Sequence, residues 1–243
     1  MKKVWGDFWK TSGKFIEWNK EDILNSRSLA EIFQSLCSYF HKKNLRGYRL
    51  LELGAGIGLT SYFFAKKGAD ITLLDNSKEA KKQAEEWWEK TKHKYIVGNL
   101  FKYNEKKFDI IISFGLCEHF TGKKRKLVLQ KHIDLLRDKG VAIISVPYRY
   151  GIFYRIGKFL AEITKQWSFG VEVPFSKGEL KELVIKNDLA YEIKMCGFYS
   201  SFYDLAVRKP LKMFGLRLKR RFDNAKSLFD SLFGSSLIII LKK

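Results

Sequence analysis

The stretch LELGAGIGLT, residues 51–60, decides the fold of this chain. Three glycines, Gly54, Gly56 and Gly58, alternate with other residues directly after an apolar run. A glycine-rich turn between a first strand and the helix that follows it lets a ligand reach backbone N–H groups at the helix N-terminus. The stretch therefore predicts a strand, a tight turn and a helix, with a ligand site at the turn.

Apolar runs rich in β-branched residues alternate with helical patterns on both sides of this turn. The runs predict strands at 48–53, 69–75, 94–98, 108–114, 141–146, 189–196 and 236–241. The helical patterns lie at 22–42, 59–67, 77–91, 122–138 and 176–187. Buried strands separated by helices of this length pack as a parallel sheet. We therefore expect an α/β fold with a Rossmann-like, seven-stranded, mostly parallel sheet, helices on both faces and an antiparallel last strand.

The remaining segments are interpreted as additions to one domain, since the chain has no internal repeat and no low-complexity linker. A length of 243 residues suits one α/β domain with insertions. We expect a single domain over 1–243, made of an N-terminal helical cap at 1–44, a core at 45–147, helical insertions on the substrate side at 148–175 and 198–234, and the end of the core at 176–197 and 235–243.

The chain is strongly basic, with 46 Lys and Arg against 26 Asp and Glu, a net charge of +20 and a pI near 9.7. This balance favours an anionic partner, either nucleic acid, a membrane surface or an acidic substrate, and the alternative is a lysine-rich solvated surface. The three scattered cysteines argue against a disulfide framework or a zinc site. Because we find neither a secretory signal nor an apolar run of about 18 residues, we expect a cytoplasmic protein.

Polar residues mark the ends of three predicted strands, at the edge where such sheets bind ligands. Glu52 precedes the glycines, where a carboxylate would help a cationic ligand but not a pyrophosphate. Asp75 ends the second strand and can accept hydrogen bonds from both hydroxyls of a ribose. Asn99 follows the third strand, where its amide oxygen can accept from an exocyclic amine. The glycine spacing differs from the G-x-G-x-x-G of dinucleotide-binding proteins, which disfavours a nicotinamide oxidoreductase.

Five short motifs lie in order along the chain: ELGAGIG at 52–58, LLDN at 73–76, GNL at 98–100, FDIIIS at 108–113 and CEHF at 117–120. In these motifs the sequence resembles the class I S-adenosylmethionine-dependent methyltransferases, over roughly residues 45–147. The resemblance implies S-adenosylmethionine as cofactor, held by Glu52, Gly54, Gly56, Gly58, Asp75, Asn76, Asn99, Leu100 and Phe114. It implies that the glycine turn lines the methionine part, that Asp75 holds the ribose and that Asn99 reads the adenine. The family more often has Asp at the position of Asn99, and Asn keeps the acceptor oxygen.

A base near the cofactor would remove a proton when the methyl acceptor is a hydroxyl or an ammonium group. His119 is the candidate because it follows the fourth strand, and Glu118 could orient it or cap the next helix. The alternative for His119 is a structural imidazole bonded to the backbone. We expect Cys117 to be a packed thiol and expect no metal site. The other histidines are expected to be solvated, namely His41, His93 and His132.

Two basic amphipathic segments follow the fifth and sixth strands. In 149–167 the apolar stripe consists of Ile152, Ile156, Phe159, Leu160, Ile163 and Trp167, with Arg149, Arg155, Lys158 and Lys165 around it. In 208–233 the stripe runs from Leu211 to Phe233, and eight Lys and Arg lie between 208 and 226. Either the stripes pack on the core or they lie on an anionic membrane, and both interpretations stay open.

We therefore predict an S-adenosylmethionine-dependent methyltransferase that acts on a small-molecule or lipid-like acceptor, at a membrane surface if the stripes are exposed. The alternatives are an RNA methyltransferase that uses the basic surface and a non-catalytic cofactor-binding subunit. The absence of an appended RNA-binding domain and of base-specific motifs favours the first. Exposure of the stripes would distinguish a lipid-like acceptor from an RNA acceptor. RNA binding uses the positive charge of the surface but does not require exposed Leu and Phe side chains.

Overall fold

The computed structural model describes residues 8–9, 19–105, 108–167, 169–203, 205–206 and 229–243. Its strands are β1 (Arg49–Leu53), β2 (Asp70–Asp75), β3 (Lys94–Val97), β4 (Phe108–Phe114), β5 (Leu136–Pro147), β6 (Ala190–Cys196) and β7 (Ser236–Lys242). They form one 7-stranded sheet in the order β3-β2-β1-β4-β5-β7-β6. Neighbouring strands are parallel except for β7, which is antiparallel to both β5 and β6. The predicted Rossmann-like α/β fold with an antiparallel last strand is confirmed.

Helices cover both faces of the sheet. They are α1 (Lys20–Leu24), α2 (Arg27–Phe40), α3 (Leu59–Lys66), α4 (Lys78–Trp88), α5 (Gly122–Asp134), α6 (Ile152–Ile163), α7 (Lys177–Asn187), α8 (Phe198–Tyr203) and α9 (Asp230–Phe233), with a 3-10 turn at Cys117–His119. The division of the chain into one domain with a cap and two insertions stays a prediction.

Alternate residues of β1 pack on opposite faces of the sheet. Leu50 pairs in register with Ile110, and both join a buried cluster with residues of α2, α3 and α4. Leu51 pairs with Ile111, and both join a second buried cluster with residues of α5 and α7. Because both faces are buried, neighbouring positions of the central strands are mostly apolar, which explains the apolar runs in the sequence.

The boundary between α5 and β5 differs from the prediction. The helix ends at Asp134 and not at 138, and the strand begins at Leu136 and not at 141. The reason is that Leu135 and Leu136 are buried, so the chain must turn into the sheet before the polar residues that follow. Gly140 lies inside β5, where an added Cβ would come 3.1 Å from the carbonyl oxygen of Asp109.

The helix predicted at 22–42 is two helices. The break lies at Ser26, whose Oγ accepts a hydrogen bond from the backbone N–H of Leu29 at 3.4 Å. This is the usual geometry of a serine at the start of a helix, and it begins α2 at Arg27.

The first amphipathic segment contains α6, directly after β5. The predicted second segment at 208–233 lies outside the described residues as far as position 228, so its stripe is not placed. Within the described ranges, none of the helices combines the length and the apolar character needed to cross a bilayer. The ends of β1, β2, β3 and β4 meet at one edge of the sheet, and the predicted site residues lie there.

Candidate functional site

The glycine turn after β1 has a backbone that only glycine adopts readily. Gly54, Gly56 and Gly58 have φ angles of 64°, 54° and 74°, all in the left-handed region. There is also no room for a side chain at Gly56, since an added Cβ would lie 2.5 Å from Cζ2 of Trp9. An added Cβ on Gly54 would likewise collide with Leu116. Trp9 and Leu116 thus lie where a Cβ on Gly56 or Gly54 would stand, so neither position can carry a side chain without a shift of these neighbours.

Asp75 joins the end of β2 to the glycine turn. Its Oδ2 accepts a hydrogen bond from Gly56 N at 2.9 Å, and its Oδ1 accepts one from Ser77 N at 2.9 Å. Burial raises the pKa of Asp75, while these backbone hydrogen bonds favour the carboxylate. From the other side the hydroxyl of Tyr95 donates to the carbonyl of Gly56 at 2.7 Å. The turn is therefore held by side chains from both β2 and β3.

Glu52 lies beneath the turn and supports the start of α3. Its Oε2 accepts hydrogen bonds from the backbone N and the Oγ of Ser61, at 3.1 and 2.5 Å. Ser61 N belongs to the first turn of the helix, whose N–H groups have no partner within the helix. Burial raises the pKa of Glu52 to about 7, and the two hydrogen bonds from Ser61 oppose that shift. A positive charge near this carboxyl would favour its ionised form.

The other predicted cofactor residues lie along the same edge. Asn76 and Asn99 are exposed, and Leu100 and Phe114 are half-buried. The side-chain oxygen of Asn99 accepts a hydrogen bond from Phe101 N at 3.0 Å, so it helps to shape its own loop. An amide oxygen has a second lone pair, and the contact of Asn99 with an adenine amine stays a prediction.

His119 lies in the 3-10 turn after β4 and is 8% exposed. Its Nδ1 lies 2.9 Å from the carbonyl oxygen of Val171. A carbonyl only accepts hydrogen bonds, so Nδ1 carries the hydrogen, and Nε2 is the basic nitrogen of the neutral ring. This bond to backbone fits the structural alternative and equally fits a base whose tautomer is fixed. The predicted catalytic role of His119 stays a prediction.

Glu118 precedes His119 in the same turn and is 3% exposed. Burial raises its pKa to about 8, the nearby Glu172 adds to the rise, and Arg125 opposes it. Among the described residues, its Oε2 is buried without a hydrogen-bond partner. The residue before α5 is Thr121, so Glu118 is not the cap of that helix.

The segment 170–175 forms a wall of the site that the sequence did not predict. Arg125 of α5 holds one end of it, donating to the carbonyls of Val173 at 2.9 Å and Pro174 at 3.2 Å. The same guanidinium pairs with Glu179 at 2.5 Å and lies 3.4 Å from the ring centre of Phe175. In the sequence Arg125 belongs to a basic run that is typical of a solvated helix face, so no signal singles it out.

Two residues of the first amphipathic segment differ from the prediction. Lys158 is not a surface charge, because its side chain is 16% exposed and its Nζ donates to the carbonyl of Glu172 at 2.5 Å. Trp167 does not continue the apolar stripe, since α6 ends at Ile163 and its indole N–H donates to Gly170 O at 2.9 Å. Both side chains contact the segment 170–175 and connect it to α6.

The stripe of α6 is exposed over the whole length of the helix. Phe159 is 61% and Ile163 is 59% exposed, and α6 has no buried residue among those described. The remaining members are also exposed, namely Ile152, Ile156 and Leu160. Arg155 and Lys165 are exposed beside them. The face of α6 that contacts the protein instead contains Phe153, whose ring lies 5.4 Å from that of Phe198.

His132 is not solvated as predicted. It is fully buried, with Nδ1 2.7 Å from the carbonyl of Val128 and Nε2 2.8 Å from Oγ of Ser113. Burial lowers its pKa to about 4, so the ring is neutral. Cys117 is a fully buried thiol whose pKa is raised by burial, as expected of a packed cysteine. Among the residues that the structure describes, no group of His, Cys, Asp and Glu is arranged to hold a metal ion.

Comparison with known proteins agrees with the motifs. A family model described as a methyltransferase domain matches residues 50–140. The ubiquinone biosynthesis O-methyltransferase of Pelagibacter ubique is 26% identical over 201 residues, covering 77% of this chain and 81% of that protein. Magnesium protoporphyrin IX methyltransferase from Synechocystis PCC 6803, solved with bound SAH, has a TM-score of 0.62 at 15% identity, covering 100% of this chain and 99% of that chain. The 1,6-didemethyltoxoflavin-N1-methyltransferase of Burkholderia thailandensis has a TM-score of 0.59 at 16% identity, covering 100% and 88%.

Proposed function

Since the chain is a class I S-adenosylmethionine-dependent methyltransferase, we propose that it methylates a hydroxyl oxygen of a lipid-like acceptor at a membrane surface. The observation that carries this proposal is the exposed apolar stripe of α6, flanked by basic side chains, on a helix that also contacts the wall of the site.

The described residues fit the cofactor. S-adenosylmethionine, when bound, supplies a methyl group on a positively charged sulfonium. The left-handed glycine turn brings backbone to the ligand edge, and we assign the methionine part to Gly54, Gly56 and Gly58. A carboxylate offers about four acceptor sites, so Asp75 can hold the turn and also accept from ribose hydroxyls. We assign the remaining contacts to the residues of the same edge, Glu52, Asn76, Asn99, Leu100 and Phe114.

We assign proton removal to His119. Its Nδ1–H is held by the carbonyl of Val171, so the ring presents Nε2 as the basic nitrogen, and the same carbonyl stabilises the charged ring after proton uptake. Glu118 is the second candidate in this turn. With a pKa near 8 its carboxyl is mostly protonated at neutral pH and can donate a hydrogen bond to an acceptor oxygen through its unpartnered end.

Two observations support a lipid-like acceptor and an oxygen nucleophile. The relative from Pelagibacter ubique is named a ubiquinone biosynthesis O-methyltransferase, and this name supports an oxygen nucleophile. The stripe of α6 places Phe159 and Ile163 in solvent, where they cost free energy unless an apolar phase covers them. Arg155 and Lys165 beside the stripe suit the phosphates of an anionic bilayer.

Product analysis tests this function. The purified chain is incubated with S-adenosylmethionine carrying a trideuterated methyl group and a total lipid extract, and methylated products are identified by mass spectrometry. We expect the label as a methyl ether in the organic phase. Label found only on RNA added in parallel would support the RNA methyltransferase instead, and label on nitrogen would overturn the assignment of the acceptor atom.

A further inference from the structure

The segment 170–175 connects α6 to the turn that contains His119. On the side of that turn, the carbonyl of Val171 accepts from His119 Nδ1 at 2.9 Å, and Val173 N donates to the carbonyl of Glu118 at 2.8 Å. The segment therefore contacts both candidate catalytic residues through its backbone. The Val171 oxygen is a hydrogen-bond partner of the His119 ring, so its position contributes to the orientation of that ring.

On the side of α6, two residues one helical turn apart hold Glu172. The hydroxyl of Tyr154 donates to the carboxylate of Glu172, and Lys158 Nζ donates to its carbonyl oxygen at 2.5 Å. Burial and the adjacent carboxylate raise the pKa of Tyr154, so its hydroxyl stays protonated and remains a donor. Hydrogen bonds to charged groups are stronger than those between neutral groups.

Glu172 is the residue next to Val171, so contacts that fix its side chain and its carbonyl oxygen restrain the backbone beside the Val171 oxygen. The carbonyl of Val171 and the N–H of Glu172 belong to one planar peptide unit. A rotation of that unit moves the oxygen that holds His119. The other end of the segment is fixed by Arg125, which belongs to α5 and does not depend on α6. Among these contacts, those of Tyr154 and Lys158 are thus the ones that relate the position of α6 to the orientation of His119.

We propose that Tyr154 and Lys158 are positioning residues for His119, acting through Glu172 and the carbonyl of Val171. The proposal rests on the proposed function where it treats His119 as the base. The helix that carries the exposed stripe then also holds the base in the tautomer that presents Nε2. The side chains of Tyr154, Lys158 and Glu172 and the peptide unit between Val171 and Glu172 thus connect α6 to His119. Binding of α6 to a surface can in this way affect the base at the edge of the sheet.

Nitrogen-15 spectra of the histidine rings test the positioning without any substrate. The chain has 4 histidines, so the ring signals of the full-length protein can be assigned by single substitutions. The test variants are Tyr154→Phe, which removes only the hydroxyl, and Lys158→Met, which keeps the aliphatic stem. The control is Tyr150→Phe, at a residue that precedes α6 and is 58% exposed. His132, held by its own buried hydrogen bonds, reports that the fold is intact.

In the unchanged protein we expect His119 as a single tautomer with hydrogen on Nδ1. In both test variants the nitrogen-15 chemical shifts of the His119 ring should move toward the average of the two tautomers. In Tyr150→Phe these chemical shifts should stay unchanged. With a long-chain alkyl dihydroxybenzene as methyl acceptor, kcat should fall about tenfold in Tyr154→Phe at an unchanged KM for the cofactor. Unchanged His119 signals in both test variants, or equal changes in the control, would overturn the proposal.

The role of His119 as the base and its positioning by Tyr154 and Lys158 can be contradicted independently. If His119→Ala leaves kcat unchanged, the proposed function loses its base, and the nitrogen spectra still decide whether α6 positions the ring. If His119→Ala abolishes turnover but Tyr154→Phe changes neither the spectra nor kcat, His119 remains the base and the positioning is wrong. If either Tyr154→Phe or Lys158→Met loses the His132 signals, its fold is disturbed, and the test of the positioning then rests on the other of these two variants.

Discussion

The carboxylate of Asp75 accepts a hydrogen bond from the backbone N–H of Gly56, with 2.9 Å between Oδ2 and nitrogen. This bond ties the end of β2 to the turn after β1, although the two residues lie 19 positions apart in the chain. The residue proposed to hold the ribose is therefore also the one that fixes the turn proposed to line the methionine part. Cofactor affinity should depend on Asp75 for both reasons.

Replacing Asp75 with Ala should weaken binding of S-adenosylmethionine by about 1–3 kcal/mol, since charge-assisted hydrogen bonds to the ligand and to the turn are lost together. Isothermal titration calorimetry measures the change. Asp70→Ala is the matched control, because Asp70 is exposed at the opposite end of the same strand. Undiminished affinity in Asp75→Ala would remove the assigned ribose contact.

Replacing Gly56 with Ala should lower the free energy of unfolding by about 1–3 kcal/mol, because its φ of 54° is strained for alanine and the new Cβ would meet Trp9. Gly178→Ala is the control. Gly178 lies in α7 at an ordinary φ, with 3.8 Å of room to Ser176, so alanine should be neutral or stabilising by up to about 1 kcal/mol. Urea denaturation of the two variants measures the contrast, and equal effects would contradict it.

The sheet was predictable because its strands are buried on both faces. Leu50 and Leu51 pack into opposite clusters, so neighbouring positions of such a strand are both apolar and its sequence reads as an apolar run instead of an alternating pattern. The break at Ser26 was missed, because a serine also occurs inside amphipathic helices and only its hydrogen bond to Leu29 marks the cap.

The positions of Asp75 at the end of β2 and of His119 after β4 were predictable because both are tied to strand ends, while their roles stay predictions. The wall at 170–175 was not, because its contacts join residues far apart in sequence and most are made by backbone carbonyls, which have no sequence signature. The sequence places His132 in a helical pattern away from the ligand edge, which predicts a solvated ring. Its burial depends on the distant Ser113, which the helical pattern alone does not reveal.

Stability of the cofactor-free protein should fall as pH rises through the titration of Glu52. Burial raises the pKa of this carboxyl from 4.5 to about 7, so between these values the folded state binds more protons than the unfolded state. Its contribution to stability is present below pH 4.5 and is lost as pH rises through 7. The loss is about 3 kcal/mol, since one pKa unit corresponds to about 1.4 kcal/mol.

Glu52→Gln should remove this dependence, so that the variant gains stability relative to the unchanged protein between about pH 4.5 and pH 8. Denaturant unfolding across that range measures the difference. Glu86→Gln, at an exposed position of α4, should follow the unchanged protein. A constant difference between Glu52→Gln and the unchanged protein would show that Glu52 does not titrate in this window.

Co-sedimentation with vesicles tests the stripe of α6. Binding to phosphatidylglycerol vesicles should exceed binding to phosphatidylcholine vesicles, as each basic residue near an anionic surface contributes about 1 kcal/mol. Phe159→Asp should reduce binding at least about tenfold, because burial of a Phe side chain is worth about 1.5–3 kcal/mol. Ile185→Asp is the control, at an 81% exposed apolar residue on α7. Tight binding to a structured RNA competitor without vesicle binding would instead favour an RNA substrate.

Methyl transfer to a long-chain alkyl dihydroxybenzene, measured for the unchanged protein and for His119→Ala, tests the proposed chemistry most directly. We expect a methyl ether as product and a kcat about 10²–10⁴-fold lower in His119→Ala, because proton removal is lost, with unchanged affinity for S-adenosylmethionine. His93→Gln, at a half-buried ring against Trp88, is the control and should keep full activity. The absence of a methyl ether, or a loss of activity in His119→Ala that matches its loss of folded protein, would contradict the assignment of His119 as the base.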